Sequence, residues 1–252
     1  MRFGIIIQAR SGSKRLPKKI LKKFAGKRTM LDFQLLRLLN EFNNKNIIIA
    51  TTKLKEDNKI CSIAKRNKIQ FFRGSEKNLL KRHLDCANKF DIKNIVRVTS
   101  DCPLVDPILI KKMLKLFYKK KIDYFANTLP VSKATFPDGT DIEIFKTKSL
   151  LKLHKHAKNK TDTEHVTNLF WGNKKLFKSD IMVNKKDLSK YRFCVDYEDD
   201  FILANKLAKK IEINKLHGNA NELVAFLKSD KSLMKINNKN KIKFKIYRKD
   251  LY

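Results

Sequence analysis

The sequence predicts an α/β protein built on a mostly parallel sheet sandwiched by helices, with a small insertion or lid. Three observations carry this reading. Short β-branched runs alternate with longer amphipathic stretches through the first half of the chain. The runs are apolar almost throughout, as strands covered on both faces must be. The stretches between them repeat apolar residues at helical spacing. With 252 residues, 42% of them apolar, the chain is long enough to bury one such core.

The elements follow in order. Residues 3–8 read as a buried strand, because the run turns polar at Gln8, well short of the about 18 continuous apolar residues of a membrane span. The same early polarity argues against a signal peptide. Further strands are expected at 46–51, 69–72, 94–99 and 124–127. Between them Leu31, Leu35, Leu38 and Leu39 mark one helical face, and Ile60, Ile63 and Ala64 a second. Leu79, Leu80, Leu84 and Ala87 mark a third, and Ile110, Met113, Leu114 and Phe117 a fourth. After Asn127 the rhythm changes to a Pro/Gly loop at 129–139, a strand at 141–145 and helical patterns near 148–157 and 163–170. An insertion is therefore expected over about 128–183. Strands at 174–183 and 191–195 and a helix from 198 to about 211 return to the core. The main domain is placed at 1–230, and 231–252 is read as a basic tail or, through the alternating run 242–246, an edge strand.

Composition narrows the function classes. Cys61, Cys86, Cys102 and Cys194 form no C-x-x-C pair, so neither a zinc framework nor a disulfide framework is suggested and a reducing, cytoplasmic setting is expected. His154 and His156 are two apart, which puts them on different faces of a helix and argues against a transition-metal site. Lys plus Arg is 58 against 25 acids, a net charge of +33, which ordinarily raises nucleic acid as a partner. The lysines, however, run through nearly every segment, and no aromatic RNA-recognition motif or Cys/His finger accompanies them. A solvated lysine surface without a specific nucleic acid is favoured. Only 11 of the basic residues are Arg, so those kept near candidate motifs are informative: a planar fork grips phosphate bidentately where a lysine cannot.

The segment Gln8-Ala9-Arg10-Ser11-Gly12-Ser13-Lys14-Arg15-Leu16-Pro17-Lys18-Lys19 directly follows the first strand, where parallel sheets bind ligands. Gly12 and Ser13 let backbone N–H groups approach an anion, and Arg10, Arg15 and Lys19 can neutralise a polyphosphate. A solvated basic turn is the alternative by spacing alone. The loop is neither a P-loop nor a dinucleotide fingerprint, which removes the main support for kinases and Rossmann dehydrogenases.

That segment resembles the Q-A-R-x-G-S-x-R-L-P-x-K signature of the spore-coat polysaccharide synthesis protein F-like family, part of the acylneuraminate and KDO cytidylyltransferase superfamily. The resemblance continues in order through Ala50-Thr51-Thr52, Arg73-Gly74-Ser75-Glu76 and Arg97-Val98-Thr99-Ser100-Asp101-Cys102-Pro103-Leu104-Val105-Asp106-Pro107. It then runs through Phe136-Pro137-Asp138-Gly139, Glu164-His165-Val166-Thr167 and Arg192-Phe193-Cys194-Val195-Asp196. Two positions depart: Lys18 and Ser100 stand where that family commonly has Gly. The resemblance implies a Rossmann-like, GT-A-like nucleotidyltransferase fold, often homodimeric. It also implies transfer of a nucleoside monophosphate, with CTP as the expected donor, to a sugar acid, sugar phosphate or related acceptor in glycan-precursor synthesis.

Site residues follow from motif and resemblance together. Gln8, Ala9, Arg10, Gly12, Ser13, Arg15, Lys19, Thr51, Arg73, Ser75 and Arg82 are expected at the nucleotide, with Arg10, Lys19 and Asp101 catalytic. For Arg82 the alternative is a surface ion pair with Asp85 or Glu76. The resemblance implies Asp101 and Asp196 as ligands of Mg2+, which favours one or two carboxylates plus phosphate oxygens. Their alternatives are a turn brace and a helix N-cap. Asp138, Asp141, Glu143, His165 and Arg192 are expected at the acceptor. Pro-Asp-Gly is equally a plain turn, His165 a half-buried structural residue, and Asp141 and Glu143 share one strand face. The rival readings are a GT-A-like glycosyltransferase, which lacks a D-x-D motif here, and a basic polyanion-binding protein, supported by charge alone.

Overall fold

A computed structural model describes residues 3–173 and 175–240. They run in the order β1 (Phe3–Gln8), β2 (Lys23–Phe24), β3 (Arg28–Thr29), α1 (Met30–Leu39), β4 (Ile47–Thr52), α2 (Asn58–Arg66), β5 (Gln70–Gly74), α3 (Leu79–Lys89), β6 (Asn94–Thr99) and α4 (Pro107–Lys120). There follow β7 (Tyr124–Ala126), β8 (Glu143–Lys146), α5 (Thr147–His156), α6 (Lys160–Glu164), α7 (Asn168–Gly172), β9 (Ser179–Ile181), α8 (Glu198–Ile213), α9 (Ala220–Ser229) and α10 (Lys231–Ile236).

Seven strands form one sheet in the order β5-β4-β1-β6-β8-β7-β9. Only β8 runs against its neighbours. Alternation along the strands divides the core in two. Ile5, Ile7, Ile47 and Ile49 pack beneath α1, α2, α4, α8 and α9, whereas Ile6, Ile48 and Ala50 pack beneath α3, α5 and α7. Burying each such isoleucine contributes roughly 1.5–3 kcal/mol, so neither face tolerates a polar residue and the strands read as unbroken apolar runs. Helix starts are locally encoded: Thr29 and Asp32 form a capping box on α1, and Asp106 with Pro107 opens α4.

From β1 the chain steps outward to β4 and β5, then returns to the other side of β1 as β6. The register Gln8↔Thr99 aligns the ends of β1 and β6, so the loops that follow them meet at the switch point of the sheet.

Three expectations are revised. The strand expected at 191–195 makes only one bridge, between Asp138 and Arg192. The helix expected over 163–170 is two short ones, α6 and α7, broken at His165, where the β-branched Thr163, Val166 and Thr167 disfavour a continuous helix. Past residue 230 the chain begins not as a tail but as α10, which buries Leu233 in the core beneath α8 and α9. The run 242–246 lies outside the described residues. No described helix is long and apolar enough to cross a membrane.

Candidate active site

The loop after β1, residues 9–18, is anchored first at Ser11. Its N–H and hydroxyl both donate to Asp57 Oδ1, at 2.7 and 2.5 Å, while Asp57 Oδ2 accepts from the N–H of Thr52 at 3.3 Å and from its hydroxyl. Burial alone would raise the pKa of Asp57; the hydrogen bonds from Ser11 and Thr52 outweigh it and hold the carboxyl below its ordinary value. Asp57 sits in Lys55-Glu56-Asp57-Asn58, which reads as a solvated acidic turn, so nothing in its neighbours announces the role. Gln34 is a second anchor the residue pattern does not reveal. Its Nε2 donates to the carbonyls of Thr99 and Cys102, each at 2.9 Å, and so holds the turn that carries Asp101.

At the far end of the loop Lys18 has φ 55°, the left-handed region where a side chain is strained, which is a physical reason for glycine at this position in the family it resembles. The next residue turns inward. Lys19 Nζ lies 3.4 Å from Asp101 Oδ2, 3.1 Å from Asp196 Oδ1 and 2.6 Å from the carbonyl of Val195. Burial pulls the ammonium pKa down, but the two carboxylates outweigh it and raise it above the ordinary lysine value. Reciprocally, burial would raise the Asp101 carboxyl, and Lys19 outweighs that to hold it low. Arg15 Nη2 reaches the same Asp196 Oδ1 at 2.6 Å, and its guanidinium lies 5.4 Å over the Tyr197 ring. Lys19 is thus drawn from the loop into the carboxylate pair, and Arg15, half exposed, stands between that pair and solvent.

Asp196 is held from behind. Arg192, 2% exposed, pairs through Nη1 with Asp138, and through Nη2 with Asp196 at 2.7 Å and Asp200 at 3.6 Å. Burial works against the guanidinium charge, and Asp138, Asp200 and Asp196 with Cys194 more than restore it. Asp200 accepts from the N–H groups of Asp196 and Tyr197, both at 3.1 Å, and the Asn237 and Asn240 amides close over its other oxygen. Asp138 and Arg192, expected to meet an acceptor, are buried here and paired with each other, and Arg192 also with Asp196. Gly139, at φ +91°, makes this possible: a Cβ there would lie 2.0 Å from the Cys194 nitrogen.

On the side of the sheet that faces α3, Arg97 pairs through Nη1 with Glu143 and donates through Nη2 to Gln8 Oε1 at 2.9 Å, and Tyr124 donates to Glu143 Oε2 at 2.7 Å. Both Glu143 oxygens therefore have partners within the protein, and the residue is buried. Asp141 takes hydrogen bonds from Thr128 and from the Gly139 N–H, the latter at 2.7 Å. His165 is half buried at the end of α6; burial lowers its pKa, Arg97 adds to that and Glu164 opposes it.

Several nucleotide candidates are buried or hydrogen-bonded within the protein. Thr51 and Ala9 are buried. Arg73 donates to the carbonyls of Thr52 and Leu54 and to Asn58 Oδ1, each at 2.9 Å, which fastens the segment carrying Asp57. Ser75 accepts from the Asn78 N–H at 3.0 Å. Arg82 is buried rather than surface-paired, with Nη1 on the Ser75 carbonyl at 3.3 Å, while Asp85 pairs with Lys81. Burial and then Arg10 push its pKa down to about 10. Arg10 and Gly12 are exposed at the mouth of the loop, with Ser13 partly so. Two cysteines complete the centre. A hydrogen bond with Cys194 lowers the Cys102 pKa, but burial and the carboxylates of Asp141 and Asp101 push it up to about 12.

An anion-accepting loop beside converging carboxylates and a buried lysine is the equipment of polyphosphate chemistry, and comparison with known proteins agrees. The cytidylyltransferase family description fits residues 4–236. An uncharacterised protein of Methanocaldococcus jannaschii is 34% identical over 245 residues, 96% of each chain. The spore coat polysaccharide biosynthesis protein SpsF of Bacillus subtilis is 32% identical over 123 residues, 47% of this chain and 51% of SpsF. A solved cytidylyltransferase from Leptospira borgpetersenii superposes with a TM-score of 0.85 at 35% identity, covering 94% of this chain and 98% of that one. A match across nearly the whole length makes this chain a member of the cytidylyltransferase family and hence a nucleotidyltransferase.

Proposed function

We propose that the protein transfers the cytidylyl group of CTP to a small sugar-like acceptor, a sugar acid or sugar phosphate, with release of pyrophosphate. The observation that carries this is the position of Lys19 Nζ between Asp101 and Asp196, at the mouth of a loop pinned to Asp57. Loop N–H groups around Gly12 and Ser13, with Arg10 and Arg15, hold the triphosphate. Lys19 neutralises charge that builds on the phosphate in the transition state. Binding orients the α-phosphorus for in-line attack by an acceptor oxygen, so positioning supplies most of the rate. Arg192, Asp138 and Asp200 keep Asp196 aimed.

Two hard carboxylates that already converge on one cation, with Asp101 open to the loop, fit Mg2+. Asp101 and Asp196 would hold it, and it would supply charge neutralisation at the phosphate oxygens. Asp141 and His165, both partly exposed, are the residues we assign to the acceptor. By the name of SpsF, the product class is a precursor of a surface polysaccharide. A cytoplasmic homodimer is the working form we infer. The test is a thermal-shift panel of CTP, GTP, UTP, ATP and a nucleotide sugar with Mg2+, followed by pyrophosphate release across acceptors. Selective stabilisation by CTP and acceptor-dependent pyrophosphate are expected; stabilisation by a nucleotide sugar alone would favour a glycosyltransferase.

A further inference from the structure

Two thiols at this centre have no part in the reaction proposed above. Cys102 follows Asp101 in the turn after β6, and Cys194 lies two residues before Asp196. The Val195 N–H donates to the Asp101 carbonyl at 2.8 Å, which clamps the two segments side by side, and Gly139 presses against Cys194 from behind. As a result a carboxylate oxygen of Asp101 and the sulfurs of Cys102 and Cys194 all lie within 4.8 Å of one another. Further carboxylates stand close. Cys102 Sγ is 3.5 Å from Asp141 Oδ2, and Cys194 Sγ is 3.9 Å from Asp196 Oδ2.

We propose that Asp101, Cys102 and Cys194 form a binding site for a thiophilic divalent cation of the Zn2+ or Cd2+ class, and that its occupation withdraws Asp101 and halts nucleotidyl transfer. Two sulfurs and one carboxylate oxygen are a donor set that zinc-class ions take and magnesium does not. Zinc bonds of roughly 2.3 Å to sulfur and 2.0–2.2 Å to oxygen put tetrahedral donors about 3.5 Å apart, a side-chain rotation away from the observed spread. The electrostatics point the same way. Asp101, Asp138, Asp196 and Asp200, with Asp141 behind Cys102, outnumber Lys19, Arg15 and Arg192 among the contacts around this cluster. Entry is open, because the Asp101 side chain is 31% exposed and Cys194 is only partly buried. On binding, two metal–sulfur bonds and one metal–oxygen bond form and the two thiol protons pass to solvent. Cys61 in α2 and Cys86 in α3 lie on other elements and serve as internal controls.

The binding half of this inference is independent of the proposed reaction; the inhibitory half rests on it. Metal-free full-length protein, kept reduced with a phosphine, is titrated with Cd2+ and followed by sulfur-to-cadmium charge-transfer absorption in the ultraviolet. Saturation at one Cd2+ per chain is expected, reversed by Zn2+ and not by excess Mg2+. Cys194→Ser removes one of the two sulfur donors and should weaken Cd2+ binding by more than about 100-fold, beyond the range that loss of an outer-shell partner costs. Cys61→Ser and Cys86→Ser should leave binding unchanged. Cys102 is fully buried, so Cys194→Ser, at the more open position, is the deciding variant should Cys102→Ser not fold. Absence of the band in the native protein, or an unchanged titration in Cys194→Ser, overturns the site. A normal titration with pyrophosphate release unaffected by stoichiometric Zn2+ overturns the inhibition, and a normal titration in protein that never releases pyrophosphate counts against the reaction alone.

Discussion

The loop 9–18 is held at its two ends by different forces. At Ser11 it is tied by hydrogen bonds to the buried Asp57; at Arg15 and Lys19 it is tied by charge to Asp101 and Asp196. Hydrogen bonds to a buried acceptor are indifferent to an arriving polyphosphate, whereas a cation paired with a carboxylate is in competition with one. The Ser11 end therefore fixes the shape of the loop, and the Lys19 end responds to what it binds. Arg15, half exposed, can exchange Asp196 for a phosphate at small cost, because such a pair contributes at most about 1 kcal/mol. Lys19, buried between two carboxylates, cannot leave so easily.

The contrast can be broken most severely at Lys19. Lys19→Met leaves Asp101 and Asp196 without their shared cation, so a stability loss of about 3 kcal/mol and a drop in turnover of about 100-fold or more are expected. Chemical denaturation and pyrophosphate release measure the two. Asp57→Ala strands the Ser11 and Thr52 donors and should cost about 2–4 kcal/mol. Its kinetic signature should differ: a higher KM for nucleotide with a smaller change in kcat, as expected of a residue that positions the loop without touching the reacting atoms. Arg15→Ala should leave stability within about 1 kcal/mol but weaken nucleotide binding by roughly 1.5–3 kcal/mol, about tenfold to a hundredfold, in calorimetric titration. A defect confined to the acceptor would move Arg15 out of the phosphate site.

Acid and base sharpen the same comparison. Asp57 and Asp101 both have folded pKa values below the ordinary 3.8, so the stability they contribute is complete above that value and lost as pH falls below it. Lys19 is raised above 10.5, so its contribution persists from neutral pH to that value and is lost only beyond it. Amide exchange at Ser11, compared with a loop-distant reference, should show constant protection between pH 5 and 10 and loosening only in acid. The smallest effect is at Lys18. Lys18→Gly relieves a left-handed backbone that costs an ordinary residue about 1–2 kcal/mol, partly offset by the greater freedom of glycine when unfolded, for a net gain of about 0.5–1 kcal/mol in stability.

What was legible in the sequence is what is local. The strand β1, its Gly/Ser-rich basic loop and the first four helical faces each declare themselves within a dozen residues, by apolar periodicity or by residue type. Asp101 and Asp196, singled out together from the resemblance, also lie against the same Lys19 ammonium. The anchors were not legible, because their partners are chosen by tertiary packing: Ser11 finds Asp57 46 residues on, and Lys19 finds Asp196 177 residues on. Arg192 illustrates the limit. An arginine in a motif beside acids suits an acceptor site and an internal brace equally well, and its burial among Asp138, Asp196 and Asp200 is a tertiary fact that no local pattern carries. The helix expected over 163–170 failed for a related reason, since its apolar spacing was satisfied by two short turns packed on either side of Val166.

The proposed centre of cytidylyl transfer is the pair Asp101 and Asp196, arranged about Lys19. It is tested most directly by acceptor-dependent pyrophosphate release from CTP at saturating Mg2+, comparing native protein with Asp101→Asn and confirming by circular dichroism that the variant is folded. A folded variant with turnover reduced by about 100-fold or more is expected, because the substitution keeps the shape and removes the hard anionic ligand. Native-like turnover in folded Asp101→Asn would remove Asp101 from that centre.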